Sequence, residues 1–304
     1  EADAEKAVNA YNTLKDNGMK VFIGTVTTGA CLSVVSQTKA DNMFQITPSA
    51  SAAKVIANDN CFQVCFTDPN QGTASADYIA SKGLATKVAV IYNSSDAYSS
   101  GIYDNFKAEA AAKGLDLVAS EAFTGDSKQD FSSQLSKIKA SGAELIFLPI
   151  YYQEASLILS QAKNAGITAK FFGCDGLDGL LNIENFDKSL AENVMLLTPF
   201  AANATDETTK KFVAAYNAKY DPSTLNQFAA DAYDAVYIVK AAAEKAGVTG
   251  DMSVSDICNA LKGAMTEITV DGVTGSGMTW KATGEVNKEP KAVKIENGEY
   301  QPMD

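Results

Sequence analysis

Apolar residues recur at spacings of three and four from the start of the chain. Ala7, Val8, Tyr11 and Leu14 form such a stripe, which predicts a helix over 4–15, capped by Asp3 and ended by Asn17-Gly18. Lys20–Ile23 reads as a short buried strand. Gly24–Gly29 is a turn, and a second helix runs from Ala30 to about Ala40. Met43–Ile46 is the end of another strand, stopped by Thr47-Pro48. Ser49, Ala50 and Ser51 are expected to open a helix, because serine caps helix N-termini well. The alternation continues. Strands are expected at 61–66, 87–92, 117–122, 144–149, 170–173 and 194–198. Helices are expected up to Lys82 and at 101–113, 130–141 and 154–165, with Tyr98 on the polar loop 93–100. Strand and helix in strict alternation indicate parallel α/β sheets.

After residue 199 the pattern changes. Pro199–Thr205 reads as a crossover between lobes, followed by three helical patterns at 206–219, 227–245 and 253–261 that would clothe the first lobe. Short β segments finish the chain, with Asn297-Gly298 as a hairpin turn. With 304 residues, two lobes are expected. The first comprises 1–67 plus 200–276, and the second 68–199 plus 277–304.

Charge and composition narrow the chemistry. The net charge is −12, all 25 basic residues are lysine, and arginine and histidine are both absent. Nucleic acid is therefore not an expected partner. A Ser-His-Asp triad, a Cys-His pair and histidine metal ligands are excluded, as is a guanidinium clamp for an anion. No run of about 18 apolar residues is present. The odd number of cysteines (31, 61, 65, 174 and 258) argues against a complete disulfide framework. Cys61 and Cys65 would lie about 13 Å apart on one extended strand, too far to bridge. Gly275-Ser-Gly277 lacks the context of a dinucleotide loop. The spacing of Asp175, Asp178 and Asp187 matches no calcium loop. Neither metal nor cofactor is expected.

In open parallel sheets, ligands bind beyond the C-terminal strand ends. Those ends carry Thr28, Ser49-Ala50-Ser51, Tyr98, Tyr151 and Asp175. Hydroxyls and helix N–H groups suit a carboxylate, an aspartate suits an ammonium, and tyrosines add ring faces with a polar tip. Thr28, Ser49, Ser51 and Asp175 serve equally well as helix caps. Of Tyr151 and Tyr152, alternation sends only one toward the ligand. The set describes an α-amino acid receptor without a nucleophile–base pair.

The stretches KAVNAYNTL (6–14), IGTVTTGA (23–30), QITPSASA (45–52), CFTDPNQG (65–72), KVAVIYNSSDAYSSG (87–101), DFSSQLSKIKASGAELIFLPIYYQEA (130–155), GITAKFFGCDG (166–176) and GVTGSGMTW (272–280) resemble the solute-binding proteins of ABC importers for branched-chain amino acids. The resemblance implies a two-lobed type I periplasmic-binding-protein fold. Each lobe would be a parallel sheet flanked by helices, with the ligand cleft between the lobes. It implies that Thr28, Ser49 and Ser51 hold the ligand carboxylate and part of the ammonium, with Ala50 among the ligand-binding positions, and that Asp175 pairs with the ammonium. Tyr98 and Tyr151 would close over the ligand, with Asp68 and Phe228 as weaker candidates. It also implies a monomer outside the cytoplasmic membrane, periplasmic or lipid-anchored, with an ABC permease as partner. Against the family pattern, the first lobe lacks an N-terminal strand–helix–strand of about 50–60 residues, more than one βαβ unit. The competing readings are a ligand-sensing domain of the same fold, for another amino acid or an amide, and an enzyme, which the missing nucleophile pair disfavours.

Overall fold

The computed structural model describes residues 2–303. The chain forms two compact units, one of Glu1–Thr67 with Phe228–Glu289 and the other of Asp68–Gln227 with Pro290–Asp304. The later boundaries differ from expectation. Residues 200–227 go with the second unit and 277–289 with the first.

The first unit is built on a three-stranded parallel sheet of β1 (Phe22–Ile23), β2 (Gln45–Thr47) and β3 (Cys61–Gln63), in that order. Its helices are α1 (Ala4–Asp16), α2 (Thr28–Ala40), α8 (Gln227–Ala246, of which Gln227 falls in the other unit) and α9 (Val254–Met265). Strand alternation sorts the side chains. Phe44, Ile46, Phe62 and Val64 pack with Ile238 of α8 and with Ile257, Leu261 and Met265 of α9. On the other face, Cys61 packs with Cys31 and Val35 of α2 and with Ala50 and Ala52. The late GSGMTW stretch makes only isolated bridges, Val270–Met278 and Trp280–Val286, because Trp280 turns inward and donates its indole N–H to the Gln63 carbonyl at 2.8 Å.

The second unit carries a seven-stranded sheet. Its strands are β4 (Lys87–Asn93), β5 (Asp116–Phe123), β6 (Leu145–Leu148), β7 (Lys170–Gly173), β8 (Met195–Thr198), β9 (Lys291–Glu296) and β10 (Glu299–Pro302), in the order β10-β9-β8-β7-β6-β4-β5. β4 to β8 pair in parallel, whereas β9 runs antiparallel to β8 and forms a hairpin with β10 through Asn297-Gly298. The sheet is thus mixed rather than purely parallel, because the hairpin returns at its edge. The inner parallel strands β4 and β6 are apolar on both faces, whereas β5 at the edge is largely exposed. Ala89, Ile91, Ile146 and Leu148 meet α5 (Ser132–Ser141) and α6 (Tyr152–Asn164), while Val88, Val90, Leu145 and Phe147 meet α3 (Asp68–Ser81) and α4 (Ala97–Ala112). α3 and α4 approach closely at Gly72, where an added Cβ would stand 2.5 Å from the Ile102 carbonyl oxygen and 2.7 Å from the Phe106 nitrogen. The helix at 206–219, assigned from sequence to the first lobe, is α7 (Glu207–Asn217) of this unit.

Candidate functional site

Each unit gathers a set of polar groups at the C-terminal ends of its parallel strands. In the first unit the set is Thr28, Ser49, Ala50 and Ser51, all buried. Thr28 is the first residue of α2. Its predecessor Thr27, the N-cap, makes no side-chain cap bond, and the first turn holds no acidic residue. The N-terminal dipole of a 13-residue helix therefore faces this position without a carboxylate of its own first turn against it. Ser51 lies beside it, its N–H donating to Thr28 Oγ1 at 3.2 Å.

The expectation that Ser49-Ala50-Ser51 opens a helix is corrected. β2 ends at Thr47, these residues are irregular, and the next element is a four-residue 3-10 turn at Ala53–Ile56 with no side-chain cap. The loop is held from below instead. Thr47 Oγ1 accepts the Ala50 N–H at 3.0 Å and donates to the Thr25 carbonyl at 2.6 Å. Gln63 Nε2 donates to the Ala50 carbonyl at 2.9 Å. Pro48 explains the break, because it restricts Thr47 to extended conformations and carries no N–H. Ser51 Oγ is buried and has no hydrogen-bond partner among the described residues. A buried hydroxyl is normally satisfied, so it is suited to a ligand oxygen.

In the second unit the centre is Asp175, 1% exposed, in a single 3-10 turn just beyond β7. Tyr98 Oη donates to Asp175 Oδ1 at 2.6 Å and accepts the Gly176 N–H at 2.9 Å. Glycine at 176 permits this approach, since a Cβ there would stand 2.6 Å from the phenol oxygen. Tyr98 was expected on a loop, but it lies in the first turn of α4, 2% exposed. The helix starts early because Asp96 caps it by accepting the Ser99 N–H, and Ser99 Oγ in turn accepts the Asn93 N–H at the end of β4. Burial, reinforced by the Asp175 charge, pushes the Tyr98 phenol well above its ordinary range, so it remains a donor at neutral pH.

Tyr151, the half-buried N-cap of α6, stacks on Tyr98 with centroids 4.7 Å apart. Its neighbour Tyr152 points to the opposite core and packs where a Gly179 Cβ would be. Asp68 is buried at the start of α3, with its carboxylate 3.2 Å from where a Gly101 Cβ would stand. Phe228 is half-buried in the first turn of α8, within the first unit.

Two glutamines that hold Asp175 were missed from the sequence. Gln71 Oε1 accepts the Asp175 N–H at 3.3 Å, and Gln227 Nε2 donates to the Asp175 carbonyl at 2.7 Å. The Gln227 N–H is accepted by Asp178 Oδ2 at 2.8 Å. Asp178 is buried, and desolvation raises its carboxyl to about 7 against the opposing pull of the Gln227 and Gly179 N–H groups. No sequence signal marks Gln71 or Gln227, because one lies inside an amphipathic helix and the other at a helix start. No group of three or more His, Cys, Asp or Glu side chains able to hold a metal occurs among the described residues.

The sequence family described as "Periplasmic binding protein" matches residues 1–299. The Leu/Ile/Val-binding protein homolog 3 of Brucella melitensis biotype 1 is 32% identical over 252 residues, covering 82% of this chain and 67% of the relative. The leucine-, isoleucine-, valine-, threonine- and alanine-binding protein of Pseudomonas aeruginosa is 28% identical over 261 residues, or 85% and 68% of the two chains. Among solved structures, the branched-chain amino acid transporter substrate-binding protein LivJ of Streptococcus pneumoniae, in complex with isoleucine, superposes with a TM-score of 0.85 at 27% identity, covering 98% of this chain and 83% of that one. The leucine-binding protein LivK of Thermotoga maritima shares the fold with a TM-score of 0.87 at 24% identity, covering 99% and 84%. The match along 1–299 and the 32% identity to a relative over most of the chain agree with the α/β architecture, and the chain belongs to the periplasmic binding protein family.

Proposed function

We propose that this protein is the extracytoplasmic solute-binding component of an ABC importer, and that it captures a branched-chain amino acid by hinge closure. Its partner is the membrane permease that accepts the ligand. It acts as a monomer, in the periplasm or held to the outer face of the cytoplasmic membrane by a lipid anchor. It binds its ligand without converting it. The relatives named for Leu, Ile and Val support the ligand class.

The observation that carries the reading is the buried Asp175 carboxylate, oriented by Tyr98 and clamped through its backbone by Gln71 and Gln227. A carboxylate with fixed geometry at a strand end is a receptor for an ammonium group. In the first unit, Ser51 Oγ, Thr28 and the N-terminus of α2 form the complementary receptor for a carboxylate. With no arginine in the chain, neutral donors and a helix dipole do the work that a guanidinium would do elsewhere. Tyr98 and Tyr151 present stacked rings beside Asp175 and supply apolar contact.

A thermal-shift screen of the twenty amino acids, followed by calorimetry, tests this. A ligand at 100 times its Kd adds about 2.7 kcal/mol of stability. A shift with Leu, Ile or Val that is lost in Asp175→Ala is the expected result. A shift that survives in Asp175→Ala would remove the ammonium assignment. No shift with any amino acid would remove the ligand class.

A further inference from the structure

All five cysteines are buried thiols, and two of them share one small apolar cluster. Cys31 lies one turn into α2, three residues after Thr28, and Cys61 opens β3. Both belong to the small cluster that contains Ala50, Ala52 and Val55. Gln45 connects the same two elements. It is the register partner of Cys61 on β2, and its Nε2 donates to Cys31 Sγ at 3.3 Å. The other three thiols lie elsewhere. Cys174 is beside Ser75 in the second unit, Cys258 is on α9 in the opposite core, and Cys65 is beyond the end of β3.

We propose that Cys31 and Cys61 form a disulfide when the chain folds in an oxidising compartment, stapling α2 to β3 beside the Ser49–Ser51 loop. Extracytoplasmic folding provides such a setting. The oxidant is a thiol–disulfide exchanger, either oxidised glutathione or a disulfide oxidoreductase. A thiolate of the pair attacks one sulfur of the oxidant's disulfide and expels a thiolate, leaving a mixed disulfide. The second cysteine, deprotonated, then attacks the protein sulfur of that mixed disulfide and expels the other half of the oxidant. Two protein S–H groups become one S–S bond, and two electrons and two protons leave with the oxidant as two thiols.

Both thiols are sealed in the folded unit, with 0% and 1% exposure. The reaction therefore accompanies folding, and a protein folded fully reduced resists later oxidation.

The test is refolding of the protein in a mixture of reduced and oxidised glutathione, then alkylation under denaturing conditions without reductant, and peptide mass mapping. The expected product takes up three alkyl groups rather than five and yields one Cys31–Cys61 linked peptide about 2 Da lighter than the sum of its reduced halves. The glutathione-refolded protein should then melt about 5–10 °C above the same chain refolded in reductant, given the loop that the bridge closes, and Cys61→Ser should show no such difference between the two refolding conditions. Five alkylated cysteines, or a bridge between any other two, overturns the pair. A wild-type Tm that is no higher after refolding with glutathione than after refolding in reductant overturns the staple. The mapping uses the unaltered chain, so the outcome does not depend on whether a variant folds.

Discussion

The phenol of Tyr98 donates to Asp175 at 2.6 Å while accepting the N–H of the next residue, Gly176, at 2.9 Å. One oxygen thus fixes both the carboxylate and the backbone that carries it. Tyr98→Phe keeps the ring and its stack on Tyr151 but loses both bonds. A hydrogen bond to a charged group contributes about 1.5–3 kcal/mol. Calorimetry should therefore show ligand affinity lower by about 10- to 100-fold in this variant. Unchanged affinity would mean that Tyr98 does not orient the ammonium partner.

Ser51→Ala separates ligand binding from folding. The hydroxyl makes no bond within the described protein, so its removal strands no partner. Stability without ligand should be within about 0.5 kcal/mol of wild type, or slightly higher. Affinity for the amino acid should fall by about 1 kcal/mol or more. A loss of stability with intact affinity would place Ser51 in the scaffold rather than the receptor.

Asp178 sets a pH dependence. Its folded carboxyl titrates at about 7, above the unfolded value of about 4. Between these values the folded state holds a proton that the unfolded chain has released. Stability therefore falls as pH rises through that window, by at most about 1.4 kcal/mol per unit from this group. It is complete below about pH 4 and changes no further above about pH 7 to 8. Asp178→Asn keeps an acceptor for the Gln227 N–H and removes the titration. Melting curves from pH 4.5 to 7.5 should slope downward less in the variant than in wild type, and parallel curves would contradict the raised value.

Gly72→Ala tests the α3–α4 contact. The new methyl group would overlap backbone atoms of Ile102 and Phe106, which cannot move aside as a side chain can. The overpacking should cost about 1–3 kcal/mol. Denaturant unfolding followed by far-UV circular dichroism should show a lower midpoint at unchanged slope. A midpoint equal to wild type would show that the helices separate freely.

The buried pair of Lys288 and Asp231, 3.6 Å apart in the first unit, is a further test of packing. Lys288 also donates to Thr274 Oγ1 at 2.5 Å. Lys288→Met removes the ammonium that faces the buried Asp231 carboxylate, and breaking such a pair costs about 3–5 kcal/mol. The Tm of the variant should fall by several degrees, and a change within error would show that solvent reaches Asp231.

Local pattern alone determined the strand–helix alternation, the apolar β4, β6, β7 and β8, and the position of Asp175 at a strand end, because each depends on periodicity and on residues that terminate strands. Composition alone dismissed arginine and histidine chemistry. The tertiary structure decided what depends on distant partners. Tyr98 became a buried helix residue because Asp96 and Ser99 cap α4 against the end of β4. Ser49–Ser51 stayed a loop because Thr47 and Gln63 satisfy its backbone from the side, where a helix would have satisfied it internally. Residues 200–227 joined the second unit, although α7 reads as amphipathic in either setting, because an apolar stripe does not specify which core it will meet. Gln71 and Gln227 acquired a role only through Asp175, which lies 104 and 52 residues away in sequence, a separation that no local rule spans.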